Sequence, residues 1–328
     1  GPIGHDAQIG RKKGLLEEGH QIVPFCPRCG TSLSSHEVAQ GYREVEDPSI
    51  FIKFKVASQD NTYLLAWTTT PWTLLSNVAL AVHPDEFYLR IRYKEQEIIL
   101  AEARAKVLLD ENEYEILQRI MGSDLEGLKY EPLYDFFETE KPGHFVTTAM
   151  YVTMDDGTGI VHIAPAFGEE DYQVGVQYDL PFIQAVHPNG TFRDEVKPWK
   201  GMFVKDADPL IIKDLEERGL LEGVHNYTHQ YPFCWRCDTP LLYYARKSIF
   251  VRMSRLRKEL MENNDRINWH PPNIKRGRFG NFLEEVKDWH LSRERYWGTP
   301  LPLWRCENGH EHVIGSREEI RELTRGKE

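Results

Sequence analysis

The most constraining feature of this chain is a pair of short cysteine turns set far apart: Cys26 and Cys29 in FCPRCGT, and Cys234 and Cys237 in FCWRCDT. A C-x2-C turn presents two thiolates on one edge of a tetrahedral metal site, and two such turns complete a four-cysteine centre, so structural Zn2+ is expected. A disulfide does not suit an intracellular chain, and a redox C-x2-C has no need of a twin. Between Cys29 and Cys234 lie 204 residues, whereas most zinc ribbons close short loops. The metal would clamp the two ends of a long inserted domain. A fifth cysteine, Cys306 in WRCENGHEHV, has His310 and His312 nearby; these read either as part of another metal site or as a lone cysteine beside surface histidines.

With 328 residues the chain exceeds what one core usually carries, so two or more folding units are expected. Its 41% hydrophobic and 12% aromatic content suffices for a packed interior, and no run approaches the roughly 18 apolar residues of a membrane span. The opening GPIGHDAQIG lacks a basic-then-apolar signal pattern, so a soluble, cytoplasmic protein without a membrane partner is expected. The net charge of −11 excludes a surface coated in positive potential. A nucleic-acid partner must then be met by local clusters. Candidates are Arg11, Lys12 and Lys13; Lys275, Arg276 and Arg278; and Arg293 and Arg295, each of which also reads as a solvated face.

Along the chain, residues 6 to 20 are expected to form a short helix with a turn at GLLEEGH. The chain moves into strand through QGYREVEDPSIFIKFKV, where Ile50, Ile52 and Phe54 share one side, and strands continue in NTYLLAWTTT, in NVALAVHP, and in EFYLRIRYKEQEIILA, which reads as a hairpin about KEQ. AEARAKVLLDENE has helical spacing, GHFVTTAMYV and GTGIVHIAP return to strand, GEEDYQVGVQYD reads as a helix, and FIQAVHPNGTF as a strand and turn. From DADPLIIKDLEERGLL onward the reading becomes helical. The fold class is therefore α+β with a β-rich middle.

One corner of this middle stands out. In TTTPWTLLSN three threonines favour extended chain, and Pro71 suits the first turn of a helix while barring Thr70 from helical conformation. Thr70 is the expected N-cap, which leaves the hydroxyls of Thr68 and Thr69 near free backbone N–H groups. This is either a plain capped helix start or a corner that holds a polar ligand.

TTTPWTLLSNVALAVHP, GTGIVHIAPAFGEEDY, FCWRCDTPLLYYA and LSRERYWGTPLPLW occur in one order, and together they resemble class I aminoacyl-tRNA synthetases of the isoleucyl branch, in the stretch around the inserted CP1 editing domain. Valyl and leucyl relatives carry Thr-Thr-Arg-Pro where this chain has Thr68 to Pro71. The resemblance implies a barrel-like editing domain over 41–228, mounted on a zinc-bound stalk formed by 1–40 and 229–285. Residues 286–328 would begin the second half of a Rossmann-type catalytic domain. It also implies hydrolysis of valine from the 3′ end of misacylated tRNA(Ile), with valyl-adenylate a further candidate substrate, by a monomer. Valine and isoleucine differ by one methylene, too little for a single pocket to discriminate strongly, and a second hydrolytic site restores accuracy.

By the same resemblance, Thr68, Thr69 and Thr70 line the site for the terminal adenosine and the ester, Trp72 and Asn77 help to bind it, and Asp171 pairs with the α-ammonium of the misattached amino acid. His162 with Thr73 closes the pocket against a longer side chain. Glu169 and Glu170 lack that match and are expected in solvent. Cys306 and His310 look like the first half of a second zinc site. The family's His-x-Gly-His motif and Lys-Met-Ser-Lys-Ser loop do not occur, so ATP and Mg2+ are expected only with a full-length enzyme. The rivals are the editing domain of a valyl or leucyl enzyme and a non-catalytic, zinc-stabilised RNA-binding module.

Overall fold

The computed structural model describes residues 2–292 and 301–324. Arg293, Arg295 and the ERYWGTP part of the last motif lie outside the described residues. Two compact units emerge, one of Ile22–Ala245 and one of Gly1–Gln21 with Arg246–Glu328.

In chain order the elements are helix α1 (Pro2–Lys12), β1 (Leu16–Cys26), β2 (Thr31–Ser32), α2 (Ser35–Ala39), β3 (Tyr42–Lys55) and β4 (Thr62–Thr68). A 3-10 helix over Pro71–Ser76 leads to β5 (Ala79–Val82), β6 (Phe87–Tyr93), β7 (Gln96–Ala101), α3 (Glu102–Leu108), β8 (Tyr114–Met121), β9 (Phe145–Thr148) and β10 (Ile160–Ile163). Then come α4 (Glu169–Gln177), α5 (Val204–Glu217), β11 (Leu221–Pro232), β12 (Leu242–Val251), α6 (Arg257–Arg266), α7 (Arg278–Glu284), β13 (Trp289–His290), β14 (Leu303–Arg305), β15 (Glu311–Val313) and α8 (Arg317–Leu323).

The larger unit holds a six-stranded sheet of order β11-β3-β4-β7-β6-β8 and a three-stranded sheet of order β10-β5-β9. The alternation in β3 sends Ile50, Ile52 and Phe54 inward, where each is fully buried. The β6–β7 hairpin turns at Lys94 and Glu95, both with positive φ, as tight two-residue hairpins require. All four residues of β5, Ala-Leu-Ala-Val, are buried between a parallel neighbour, β9, and an antiparallel one, β10. One continuous core joins these strands to Trp72, Phe167, Phe192 and Ile211. The smaller unit has its own apolar cluster around Ala7, Leu16 and Val313.

Three local expectations change. Helix α1 stops at Lys12, eight residues short of the 6–20 reading, and β1 begins at Leu16, because Gly14, at φ +66°, turns the chain. The region after α5 is not continuously helical: β11 pairs with β3 over its whole length, from Leu221↔Ile52 to Pro232↔Tyr42. Its sequence LEGVHNYTHQYP hides the strand because it lies at the sheet edge and has little apolar alternation. The helix after Pro71 is 3-10, not α, and all six of its residues are buried.

Two glycines mark where backbones meet too closely for a side chain. A Cβ on Gly41 would lie 1.9 Å from Phe233 O, and one on Gly122 would lie 1.9 Å from His83 O. Neither oxygen can rotate away. Gly122→Ala is expected to lower unfolding free energy by about 1–3 kcal/mol in urea melts at unchanged m-value; an unaltered midpoint would contradict this packing.

Candidate functional site

The threonine corner and His162 meet because of strand order. The 3-10 helix Pro71–Ser76 runs directly into β5, and β10 lies beside β5 with His162 opposite Leu80. Thr68 Oγ1 accepts the Thr70 N–H at 3.1 Å and lies 3.3 Å from Thr70 Oγ1. Thr70 Oγ1 is 3.1 Å from Thr73 Oγ1, which is 3.0 Å from His162 Nε2. The Thr73 hydroxyl donates to Thr70 O at 2.8 Å. Thr73 Oγ1 therefore receives the His162 Nε2–H, an assignment made from the bonding pattern, and leaves Nδ1 as the unprotonated ring nitrogen. Burial pulls His162 down to about 4, so it is neutral at pH 7.

Asp171 stands in the first turn of α4, and its Oδ2 accepts the Ala164 N–H at 2.9 Å, two residues beyond His162. The carboxyl folds back over Gly168, where a Cβ would lie 2.7 Å from Asp171 Cγ, so any larger residue there would push the carboxyl aside. Burial pushes Asp171 up to about 7, against the Ala164 hydrogen bond. Among the described residues, the hydroxyl of Tyr151, close enough to Asp171 to feel its charge, is buried without a well-aligned hydrogen-bond partner. So are His162 Nδ1 and the indole Nε1 of Trp72. Buried polar atoms are costly to leave unpaired, and these three, with Ser76 Oγ of the same 3-10 helix, make up half of the eight such side-chain atoms among the described residues.

The remaining expected residues divide. Thr69 is half-buried, and its hydroxyl makes no hydrogen bond among the described residues. Trp72 is buried and meets Phe167 edge-on, with ring centroids 4.9 Å apart. Asn77 spends its amide internally, donating to Ala79 O at 2.8 Å and accepting from Tyr130 Oη at 2.6 Å. Glu169 and Glu170 are exposed.

The cysteine quartet forms a second centre. Sγ atoms of Cys26 and Cys237 are 3.5 Å apart, of Cys29 and Cys237 3.5 Å, and of Cys29 and Cys234 4.0 Å. Four sulfurs each about 2.3 Å from one ion would lie about 3.8 Å from one another, so the quartet fits a tetrahedral metal. Among the described residues it is the only such cluster of three or more ligands. Cys306 Sγ lies 3.3 Å from His310 Nδ1, whereas His312 turns to Glu319 at 3.1 Å.

The family model for class I tRNA synthetases (I, L, M and V) matches residues 8–328. The chain belongs to this family. It is 55% identical to the isoleucine–tRNA ligase of Clostridium acetobutylicum, over 94% of this chain and 30% of the relative. It is 50% identical to that of Thermoplasma volcanium, over 95% of this chain and 30% of the relative. The chain thus spans about 30% of the length of the curated relatives it matches. Among solved structures it is similar to GlLeuRS-CP1, with a TM-score of 0.45 and 18% identity over 54% of this chain and 99% of that one. It is likewise similar to the editing domain of the P. knowlesi cytosolic leucyl-tRNA synthetase, with a TM-score of 0.44 and 16% identity over 58% and 99%.

In this class I synthetase chain, sequence reasoning missed Asp208. It lies in α5 on the apolar stripe of Val204, Ile211 and Leu215, is only 6% exposed, and accepts the backbone N–H of Trp72 at 2.9 Å. An acid on the buried face of a helix was the available signal. Burial pushes Asp208 up to about 7, against the charge of Lys205. Between the ordinary value of 3.8 and 7, the unfolded chain releases a proton that the folded chain keeps, so this residue costs stability as pH rises. The cost is complete above 7, at on the order of 4 kcal/mol. Asp208→Asn removes it, and the variant's Tm relative to wild type is expected to climb between pH 4 and pH 8; a pH-independent difference would refute the assignment.

Proposed function

We propose that this chain hydrolyses the ester of valine misattached to tRNA(Ile), as the editing part of an isoleucyl-tRNA synthetase. The observation that carries the reading is the hydrogen-bonded series Thr68, Thr70, Thr73 and His162, with the Asp171 carboxyl anchored two residues past His162, in a family member similar to isoleucine–tRNA ligases. The Thr68 and Thr70 hydroxyls, with Thr69 at the rim, receive the terminal adenosine and the ester oxygens. Asp171, ionised once a cation arrives, holds the α-ammonium. His162, neutral and fixed through Thr73, is the wall that a valine side chain clears and an isoleucine side chain meets. Trp72 and Asn77 act behind this surface, as packing and as internal hydrogen bonding.

Water is the nucleophile in this reading. The Thr73 hydroxyl is directed at Thr70 O and the His162 Nε2–H at Thr73, so the pair does not form a base-activated nucleophile. Orientation of water and ester by the fixed hydroxyls supplies the acceleration.

Residues 41–228 form the editing domain in this assignment, with 1–40 and 229–285 as the two halves of its stalk and 286–328 as the start of the second catalytic half. Zinc is the metal of Cys26, Cys29, Cys234 and Cys237, where four thiolates would tie the two stalk halves together. ATP and Mg2+ belong to the whole enzyme, and a cytoplasmic monomer with tRNA as its partner follows from the same reading.

One zinc per chain is expected by metal analysis, with Cys29→Ser and Cys237→Ser each abolishing its retention through gel filtration; full retention by both variants would remove the four-thiolate assignment. For the chemistry, Val-tRNA(Ile) is expected to lose its amino acid at least a hundredfold faster than Ile-tRNA(Ile). Asp171→Ala should slow this by about a hundredfold, and His162→Ala should admit isoleucine. The rate should rise as pH passes 7, where Asp171 loses its proton. Tight tRNA binding without turnover would instead support a binding module.

A further inference from the structure

We infer that Asp208 is a positioning residue for this reaction: it caps the 3-10 helix from another element, and so releases the Thr70 hydroxyl to face substrate. The inference rests on the deacylase reading above. The first turn of Pro71–Ser76 contains one backbone donor in need of an outside partner. Pro71 has no N–H, and Thr73 N already donates to Thr70 O at 3.0 Å. Trp72 N–H remains. In an ordinary helix start the N-cap hydroxyl supplies the acceptor, and Thr70 stands at that position.

Thr70 makes no side-chain cap. Its Oγ1 lies instead between Thr68 Oγ1 and Thr73 Oγ1, at 3.3 and 3.1 Å. The acceptor for Trp72 N–H is Asp208 Oδ1, at 2.9 Å, brought 136 residues along the chain by α5. Donor and acceptor residues are both buried, Trp72 at 3% and Asp208 at 6% exposure, so no solvent competes for the bond. An acid on the apolar stripe of α5 has no packing advantage over Ile or Leu. Its value is that a distant carboxyl performs the cap and leaves the Thr70 hydroxyl in the series with Thr68 and Thr73. Without Asp208, the acceptor a helix start ordinarily offers Trp72 N–H is the N-cap hydroxyl, here Thr70 Oγ1, and turning it inward would take it from the hydroxyl series. Asp171, held by Ala164 on the other side, would not move, so binding of the ammonium should persist while turnover falls.

The test uses the 328-residue chain with Val-tRNA(Ile), comparing wild type, Asp208→Asn, Asp208→Ala, Thr70→Ala and the Thr70→Ala/Asp208→Ala double variant, each checked for zinc content and circular dichroism. Asp208→Asn keeps an acceptor for Trp72 N–H and is expected within about threefold of wild-type kcat. Asp208→Ala should lose about tenfold or more in kcat, with KM within about threefold. Because Asp208 acts through Thr70, the double variant should be no slower than the slower single. Wild-type kcat in Asp208→Ala, losses that multiply in the double variant, or an Asn variant as slow as the Ala one would each overturn the inference.

A second readout does not depend on activity. The Trp72 amide should exchange with deuterium at least tenfold faster in Asp208→Ala than in wild type or Asp208→Asn, with Ala81 in β5 unchanged. Equal Trp72 exchange in all three refutes the cap, whatever the chain hydrolyses. A wild-type chain that shows the exchange pattern but no deacylation refutes the assigned reaction and leaves the cap standing.

Discussion

The antiparallel pairing of β3 with β11 is the constraint on which the larger unit depends. It joins residue 42 to residue 232 and residue 52 to residue 221, so the two ends of a long excursion run side by side for more than ten residues. Gly41 O accepts the Phe233 N–H at 2.8 Å directly beyond the pair, and Cys234 follows at once. The cysteine turns thus meet because the strands beneath them are in register. Closing so long a loop carries a conformational entropy cost that grows only slowly with length. That cost is offset by the backbone bonds along the pair and by the continuous apolar core that the excursion encloses.

The candidate site centres on β5. A four-residue, fully buried strand with the threonine helix at its start and β10 at its side fixes where Thr73 and His162 lie relative to each other. Neither residue is held by its own element alone. The hydroxyl series runs through the helix start, the imidazole hangs from the neighbouring strand, and Asp171 is tied back to that strand's end through Ala164. Glycine enters this scheme at one position for a specific reason: Gly168 leaves room for the Asp171 carboxyl, which a methyl group would displace.

Much of this was legible in the sequence, for identifiable reasons. The cysteine spacing gave the quartet, because C-x2-C turns report local geometry whatever lies between them. Period-two alternation found β3, and the proline after three threonines found the change from strand to helix at Thr70. Neighbour relations across the chain were not legible. β11 went unseen because an edge strand needs no alternating apolar face. Thr70 was assigned the capping bond that Asp208 makes, since propensity rules consult only nearby residues and the true partner is 136 positions away. Asn77 looked available for a ligand by its position after the helix, but its amide is consumed by Ala79 and Tyr130. A polar side chain is free for chemistry only when the fold has not already claimed it, and that depends on contacts no local pattern contains.

Asp171 and Asp208 show how burial can be used in two ways. Both carboxyls are pushed up to about 7, and in each case burial is the largest cause. At Asp208 the charge is opposed by nearby Lys205 and by one backbone donor, and the group serves as a fixed acceptor in either protonation state. At Asp171 the backbone N–H of Ala164 donates to the carboxyl, and the Tyr151 hydroxyl lies beside it. A carboxyl so placed is partly protonated at neutral pH and becomes fully charged when a cation enters, because the cation restores the solvation that burial removed. Binding of an ammonium group would then expel a proton, and a ligand lacking that charge would meet a neutral acid. On the proposed reading, the same desolvation that makes the position costly would make it selective.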